Sequence, residues 1–273
     1  MMNNYIDNLI EKIDYELKNV LNCYRGFIPD ALYDGMFYAC FGGGKRIRPV
    51  LMLVTVESMR KPFTKEVMTL AASIEMIHSY SLVHDDLPGM DNDLFRRGKP
   101  TVHVKFGQGM AILIGDALLN TAFEIMSVVI KDDNSLKACS YIINKAGVKG
   151  MIAGQTKDIT YNNEHLEEVL TIYENKTSAL FQASMVAPAI LLGLDEKIIV
   201  SLEEIAKYLG LIFQLKDDLS DINRSNEKLN TVKISNKRII EGLIADFRQK
   251  VELILECIGF KNTKLHKVIR MYF

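Results

Sequence analysis

Apolar residues recur at steps of three and four along almost the whole chain, which is the spacing of helices with one buried face. This periodicity predicts long helices over the segments 3–22, 30–41, 45–59, 64–86, 108–130, 133–146, 165–191, 197–222 and 236–257. Glycine and proline breakers separate these segments, and the period-two alternation of strands is scarce. No interior stretch is long and polar enough to be a domain linker. The chain of 273 residues is therefore predicted to form a single all-α domain over 1–273.

Charge and cysteine content narrow the possible partners and environments. Lys and Arg (33) nearly balance Asp and Glu (34), so no nucleic-acid partner is expected. The four cysteines form no CxxC pair, which predicts reduced thiols in a cytoplasmic protein. The N-terminus lacks the basic and apolar segments of a signal peptide. The apolar stretch 110–130 contains Asp116 and Glu124, so we predict a core helix there and no membrane span.

Three aspartates lie close together near the end of the helix predicted over 197–222. Asp217 and Asp221 are four residues apart and Asp218 and Asp221 are three apart, so a helix places them on one face. Gln214 lies on the same stripe. Carboxylates this close repel one another where solvent is excluded, which predicts a bound cation. Their oxygen ligands suit Mg²⁺, which also takes substrate phosphates as ligands.

A similar acidic cluster follows the fourth predicted helix. Asp85 and Asp86 end that helix, and Asp91 must return to it from a loop. Arg96 and Arg97 come next, and their guanidinium groups suit phosphate. An isolated aspartate pair at a helix end is more often a solvated cap. Two such clusters on apolar helices, one of them beside two arginines, favour a metal and phosphate site instead.

A glycine-rich basic loop, residues 42–49, joins the second and third predicted helices. Flexible glycines at a helix N-terminus, with Lys45 and Arg48 beside them, are typical of an anion site. The spacing is not that of a P-loop. Taken alone, the loop is equally consistent with a turn that carries exposed basic residues. The two acidic clusters give the phosphate interpretation its weight.

Taken in order, these motifs resemble the trans-isoprenyl diphosphate synthase (polyprenyl synthetase) family, most closely its bacterial farnesyl diphosphate synthase (geranyltranstransferase) branch. The resemblance covers about residues 5–222. It rests on the segments 43–49, 77–88, 96–101, 115–119, 154–155, 176–177 and 213–218. It implies an all-α isoprenoid synthase fold, with antiparallel helices around a deep central cavity, and a homodimer.

The resemblance also implies a reaction, a metal and its ligands. Isopentenyl diphosphate condenses head-to-tail with dimethylallyl or geranyl diphosphate, pyrophosphate is released, and farnesyl diphosphate is the product. Mg²⁺, about three ions per site when substrate is bound, bridges the protein to the allylic diphosphate. The implied metal ligands are Asp85, Asp86, Asp91 and Asp217.

Other roles are carried over residue by residue from the same resemblance. Asp218 and Asp221 complete the second acidic motif. The allylic substrate and its cation are served by Arg96, Lys176, Thr177 and Gln214. The isopentenyl diphosphate is held by Lys45, Arg48, His78 and Arg97.

Several of these residues also have simpler interpretations. By position alone, His78 fits a core histidine and Lys176 a solvated lysine. Gln155 and Asp158 share a helix face with Met151, which fits either a buried polar network or a cavity lining.

Product length has one local indicator. Tyr80 and Ser81, five and four residues before Asp85, stand where this family has the floor of its chain-elongation pocket. The ring of Tyr80 favours early termination and hence a farnesyl product. A geranylgeranyl diphosphate synthase is the nearest alternative.

The chain departs from the family after Asp221, where the loop GKxxGxDxxxxKxTYPxLLG and its substrate-closing lysine are missing. The segment is shortened, and Lys228, Lys233 and Lys237 lack the matching context. Leu94 also stands where aspartate is common. These departures keep open a weakly active or non-catalytic paralogue and a terpene-cyclase-like relative. The predicted isopentenyl clamp argues against the cyclase, which needs none.

Overall fold

The computed structural model describes residues 2–160, 165–220 and 230–273, apart from the side chain of Lys233. The chain divides into two compact units, Met1–Leu53 with Phe63–Cys139 and Val54–Pro62 with Ser140–Phe273. Helices make up nearly all of the regular structure, which confirms the predicted all-α class. The single domain over 1–273 and the central cavity stay predictions.

The helices are named in chain order. They are α1 Met2–Asn22, α2 Asp30–Phe41, α3 Ile47–Ser58, α4 Lys65–Asp85, α5 Val102–Phe106, α6 Gln108–Val129, α7 Asp133–Ala146, α8 Met151–Thr160, α9 Leu166–Tyr173, α10 Ala179–Leu191, α11 Glu196–Ser220, α12 Thr231–Ile234, α13 Lys237–Cys257 and α14 Lys264–Tyr272. Eight of the nine predicted segments match a helix to within two residues at each end. The ninth, 165–191, contains an interruption described below. The short helices α5, α8, α12 and α14 are missing from the predicted segments because they span few turns, which leaves little periodicity to register.

Helix α4 is the buried centre of the first unit. Residues 69–77 of this helix are all buried, and Thr64 caps its N-terminus by accepting the N–H of Val67 at 3.4 Å. Helix α6 packs along it. A Cβ on Gly115 of α6 would collide with the imidazole of His84, so glycine at this position allows the close approach. The packing of α6 therefore sets the position of the end of α4, where the first acidic cluster begins.

Helix α6 is also the one helix in the described part of the chain that is long and apolar enough to cross a membrane. Length and composition are weak support for a span, because core helices meet the same test. The inner face of α6, with Ile114, Leu118 and Met126, is buried, whereas Leu113 and Val128 are exposed. The helix has the one-sided burial expected of a helix that packs on a protein core.

A small antiparallel hairpin, which the periodicity did not predict, follows the first acidic cluster. Strand β1 Phe95–Arg96 pairs with strand β2 Lys99–Pro100. Arg97 and Gly98 connect the strands, and their φ values of 53° and 74° are both positive, as a type I′ turn requires. Strands of two residues are too short to show an alternating pattern.

In the second unit, one π turn interrupts the helix predicted over 165–191. Helix α9 leads into the π turn Glu174–Ser178, and α10 continues from it. Such turns are rare and occur often at functional sites. This one carries Lys176 and Thr177, two of the predicted site residues.

Two glycines from other helices pack against the π turn. A Cβ on Gly154 of α8 would lie 2.7 Å from the carbonyl carbon of Asn175. A Cβ on Gly210 of α11 would lie 2.6 Å from the Cβ of Ser178. Neither glycine has room for a methyl group, so the π turn is held between the backbones of α8 and α11.

We predict that Gly154→Ala and Gly210→Ala each lower the free energy of unfolding by about 1–3 kcal/mol, because the added methyl group forces the π turn to shift. Gly242→Ala is the matched control, since a Cβ on this glycine of α13 meets nothing within 4 Å. It should be neutral or raise the free energy of unfolding by about 0.5–1 kcal/mol. Urea unfolding measures all three, and equal effects at 154 and 242 would contradict the packing argument.

Candidate functional site

The first acidic cluster folds back onto the end of α4. Asp86 donates its N–H to the carbonyl oxygen of Leu82 at 3.1 Å and so caps the helix. After a tight turn, the N–H of Asp91 donates to the carbonyl oxygen of Asp85 at 2.9 Å. The predicted return of Asp91 from a loop is therefore confirmed, because its backbone is hydrogen-bonded to that of Asp85.

Asp86 is the partner of the hairpin arginine Arg96. The carboxylate of Asp86 is buried, and the Nε of Arg96 donates to its two oxygens at 2.8 and 3.0 Å. Burial would lower the pKa of Arg96, but the hydrogen bond and negative charge of Asp86 outweigh it and raise this pKa. A carboxylate has more acceptor sites than Arg96 occupies, so Asp86 stays a predicted metal ligand.

Arg97 joins the hairpin to the glycine-rich basic loop. Its Nη1 donates a hydrogen bond to the carbonyl oxygen of Gly43. Gly44 has a φ of 135°, which favours glycine, and a Cβ there would collide with the guanidinium of Arg97. Two basic motifs that are 54 residues apart in sequence are thus in contact, as a shared anion site requires.

His78 lies within this cluster of arginines. Its Nε2 is 3.3 Å from Nη1 of Arg48. Burial lowers the pKa of His78 well below its ordinary value, and the positive charges of Arg48 and Arg97 lower it further. A neutral His78 accepts a hydrogen bond from Arg48. The structure therefore brings Arg48, His78 and Arg97 together, with Lys45 exposed on the same loop.

Arg46, which the sequence analysis did not select, anchors the basic loop. Its guanidinium is buried and donates to Asp14 of α1 at 2.9 Å, to Glu75 of α4 at 2.7 Å and to the carbonyl oxygen of Cys40 of α2 at 2.6 Å. Breaking a buried ion pair of this kind costs about 3–5 kcal/mol. Arg46 thus fixes the start of α3, and with it Arg48.

The residues predicted to limit product length also lie on α4. Tyr80 is buried, and its ring stands edge-on to the imidazole of His84 with the centroids 5.7 Å apart. Burial raises the pKa of Tyr80 to about 12. His84 is tied to α6, since its Nε2 lies 3.1 Å from the carbonyl oxygen of Ile112. Ser81 donates its hydroxyl to the carbonyl oxygen of His78 at 2.9 Å and stays on its own helix.

In the second unit, Lys176 forms an ion pair. Its Nζ contacts the carboxylate of Asp158 on α8, and both side chains are half-buried. Lys176 is therefore no solvated mid-helix lysine. Asp158 has its polar partner in Lys176, a contact that does not involve Gln155.

Thr177, Gln214 and Asp218 form a chain of hydrogen bonds. The hydroxyl of Thr177 donates to Oε1 of Gln214 at 3.0 Å, and Nε2 of Gln214 donates to Oδ1 of Asp218 at 3.3 Å. The other oxygen of Asp218, Oδ2, accepts from the hydroxyl of Tyr173 at 2.8 Å and from the N–H and hydroxyl of Thr231 at 2.9 and 2.6 Å.

The two adjacent aspartates of α11 have different environments. Asp217 is exposed, whereas Asp218 is 1% exposed. Asp221 lies outside the described residues, and so does Lys228. Lys237 pairs with Glu241 of its own helix at 3.7 Å.

The described carboxylates form no complete metal site by themselves. Among the residues that the structure describes, no three His, Cys, Asp or Glu side chains converge on one point. Mg²⁺ usually takes only one or two carboxylates together with substrate phosphates, so this arrangement fits an ion shared with a substrate. In the first unit, the predicted ligands Asp85, Asp86 and Asp91 lie together at the end of α4. In the second unit, the predicted ligand Asp217 is exposed near the end of α11.

Several residues of these networks carried no sequence signal. Tyr173 is 45 residues from Asp218, and nothing in their spacing connects them. Glu75 is 29 residues from Arg46, and nothing in their spacing marks them as partners. The pair Asn230-Thr231 could have been found, because asparagine before a short apolar segment is typical of a helix N-cap; Asn230 does accept the N–H of Val232 at 2.9 Å.

Comparison with known proteins identifies the family. The family model described as "Polyprenyl synthetase" matches residues 29–242. The chain belongs to the polyprenyl synthetase family. As a member it is a prenyltransferase, and prenyl diphosphates are the substrates that the family implies.

Individual relatives match over most of the chain. The short chain isoprenyl diphosphate synthase of Methanocaldococcus jannaschii is 40% identical over 266 residues, which cover 94% of this chain and 78% of the relative. The farnesyl diphosphate synthase of Bacillus subtilis is 36% identical over 236 residues, covering 84% and 79%. The crystal structure of a geranyltransferase from Legionella pneumophila has a TM-score of 0.90 at 30% identity and covers 100% of this chain and 96% of its own.

The lowered pKa of His78 leads to a prediction for this polyprenyl synthetase. Below about pH 6.5 the unfolded chain protonates His78 while the folded chain does not, so this residue makes stability fall as pH falls. Wild-type protein should therefore lose its stability advantage over His78→Gln by up to about 1.4 kcal/mol for each pH unit below 6.5. Urea unfolding between pH 5 and pH 8, values chosen to bracket about pH 6.5, measures this. If the free energy of unfolding changed with pH in parallel for the two proteins, the lowered pKa of His78 would be contradicted.

Proposed function

We propose that this chain is a Mg²⁺-dependent farnesyl diphosphate synthase. It condenses isopentenyl diphosphate with dimethylallyl and then geranyl diphosphate, and it releases pyrophosphate at each step. The observation that carries this proposal is the contact between the glycine-rich basic loop and the hairpin, beside the first acidic cluster. A condensing enzyme must hold two diphosphates, one to be ionised and one to attack.

The isopentenyl diphosphate is assigned to the basic side of this arrangement. Arg48 and Arg97 supply donors with fixed, planar geometry, which suits phosphate oxygens. A neutral His78 adds a hydrogen-bonding group without a charge. Lys45, exposed on the same loop, supplies a further cation. A terpene cyclase has only one diphosphate to bind and no use for this set.

The allylic diphosphate is assigned to the acidic clusters and their cations. The predicted ligands Asp85, Asp86, Asp91 and Asp217 would hold Mg²⁺, which would supply positive charge to the leaving diphosphate and so favour ionisation of the allylic C–O bond. Arg96 and Lys176 are held by Asp86 and Asp158 and would turn to the diphosphate when it binds. Their guanidinium and ammonium groups stabilise the charge that develops on the leaving group.

Thr177 and Gln214 are assigned to the allylic cation. The hydroxyl proton of Thr177 is committed to Gln214, so the remaining lone pairs of that oxygen are available to face positive charge. Thr177 is 6% exposed, which keeps water away from this oxygen. Exclusion of water matters because water would quench the cation before the isopentenyl double bond attacks it.

This assignment is tested by a product assay on the purified full chain with Mg²⁺, isopentenyl diphosphate and geranyl diphosphate. We expect a farnesyl product that disappears when EDTA removes the metal. Asp85→Asn and Asp217→Asn should each lower turnover by about 100-fold or more, because each removes a metal ligand. A variant of either aspartate with undiminished turnover would overturn the site assignment. A wild-type chain that binds substrate but makes no product would favour the non-catalytic or cyclase-like alternative.

Product length is assigned to Tyr80. Its buried ring is supported from the α6 side by His84, and His84 fits because residue 115 is glycine. A ring fixed in this way blocks growth of the chain beyond farnesyl. The shortened segment after Asp221 does not bear on this floor, which lies on α4.

We predict that Tyr80→Ala shifts the product from farnesyl toward geranylgeranyl diphosphate and longer chains, because the ring no longer closes the pocket. Chromatography of the dephosphorylated alcohols measures the distribution. Tyr208→Phe is the control, since Tyr208 bonds only locally to Glu204 at 3.1 Å and lies in the second unit. An unchanged farnesyl product from Tyr80→Ala would show that other residues form the floor of the pocket.

The homodimer and the cytoplasmic location are further proposals, which gel filtration and cell fractionation test.

A further inference from the structure

Asp218 has a role in the structure that its place in an acidic motif does not indicate. The side chain is 1% exposed, and both of its oxygens accept hydrogen bonds from protein donors. Three of the four donors bind the single oxygen Oδ2, and they come from Tyr173 and Thr231. A carboxylate bound in this way is fixed in orientation, since any rotation would break several bonds at once.

The fixed carboxylate determines how the amide of Gln214 is oriented. The oxygens of Asp218 accept from all four donors, so the NH₂ end of Gln214 must face Oδ1. The carbonyl end of Gln214 then faces Thr177. Its oxygen can only accept, and so the hydroxyl of Thr177 must be the donor in that pair. The direction of each hydrogen bond follows from the one before it.

Thr231 is the donor that ties this network to the chain beyond α11. It contributes two of the three bonds to Oδ2, and the neighbouring Asn230 donates its Nδ2 to the carbonyl oxygen of Asp218 at 3.2 Å. Thr231 is fully buried. Tyr173, 2% exposed, supplies the third bond from the end of α9, one residue before the π turn. Both residues bind Oδ2 of Asp218, whereas Gln214 binds Oδ1.

We infer that Thr231 and Tyr173 are positioning residues, which fix Asp218 and through it the Gln214 amide and the Thr177 hydroxyl. This inference rests on the proposed function, in which Thr177 and Gln214 face the allylic cation. Neither Thr231 nor Tyr173 needs to touch substrate. Their effect should fall on the step in which the cation forms and reacts, because the diphosphates are held by other residues.

The test compares Thr231→Val, Thr231→Ser and Tyr173→Phe in the full chain with Mg²⁺, isopentenyl diphosphate and geranyl diphosphate. Thr231→Val keeps the backbone N–H but removes the hydroxyl donor at 2.6 Å. We expect kcat to fall about tenfold, which corresponds to about 1.4 kcal/mol, with both KM values within about twofold of wild type. Thr231→Ser restores the donor and should restore kcat. Tyr173→Phe should lower kcat in the same way.

Two controls separate positioning from a general loss of structure. Thr171→Val removes a hydroxyl that bonds only to the carbonyl oxygen of Glu167 at 3.0 Å on the exposed side of α9, and its kcat should equal that of wild type. Activity is normalised to the folded fraction measured by circular dichroism. In a double-mutant cycle, Thr231→Val should have little further effect once Thr177→Val has removed the end of the network.

The possible results distinguish a failure of the positioning role from a failure of the proposed function. If wild-type protein condenses the substrates but Thr231→Val and Tyr173→Phe do so equally well, the positioning role is wrong and the proposed function stands. Raised KM values with unchanged kcat, or full additivity with Thr177→Val, would also overturn the positioning role. If wild-type protein forms no product, the proposed function fails, and the inference fails with it.

Discussion

The buried guanidinium of Arg46 is the interaction on which the first unit depends. It joins α1, α2 and α4 through Asp14, the carbonyl oxygen of Cys40 and Glu75, at the point where the basic loop enters α3. A buried arginine is tolerated only when its donors are satisfied, and here they bind partners on three helices. Because Arg46 cannot move, Arg48, two residues later, is held beside His78. The basic loop is thus anchored by an arginine whose own charge is neutralised by Asp14 and Glu75.

In the second unit, a buried acceptor connects several helices in the way that Arg46 does in the first. Asp218 gathers donors from α9, α11 and α12, as Arg46 gathers acceptors in the first unit. The π turn is held in place separately, because Gly154 and Gly210 let the backbones of α8 and α11 pack directly against it. Lys176 and Thr177 are therefore fixed by backbone packing, and Gln214 by its bond to Asp218.

Sequence reasoning located the motifs and most helices, and the limits of that reasoning have physical causes. Apolar spacing sets the extent of α2 or α7, because burial of one face is a local property of the sequence. It could not detect the π turn, since Lys176 and Thr177 fit a continuous helix equally well. The hairpin turn at Arg97 was hidden for a related reason, because an arginine with positive φ is unusual. Contacts such as that of Tyr173 with Asp218 depend on the fold and leave no trace in spacing.

The two adjacent aspartates of each acidic cluster differ in burial, and helix geometry explains why. Adjacent residues on a helix point about 100° apart, so two neighbours meet different surroundings. In α11 this turn sends Asp218 into the interior and leaves Asp217 exposed. At the end of α4, Asp86 is buried against Arg96, whereas Asp85 is only half-buried. One aspartate of each pair is thus buried and hydrogen-bonded to the protein, and the other is the more accessible. A doubled aspartate motif on a helix therefore gives its two carboxylates different surroundings, although the sequence shows them as equivalents.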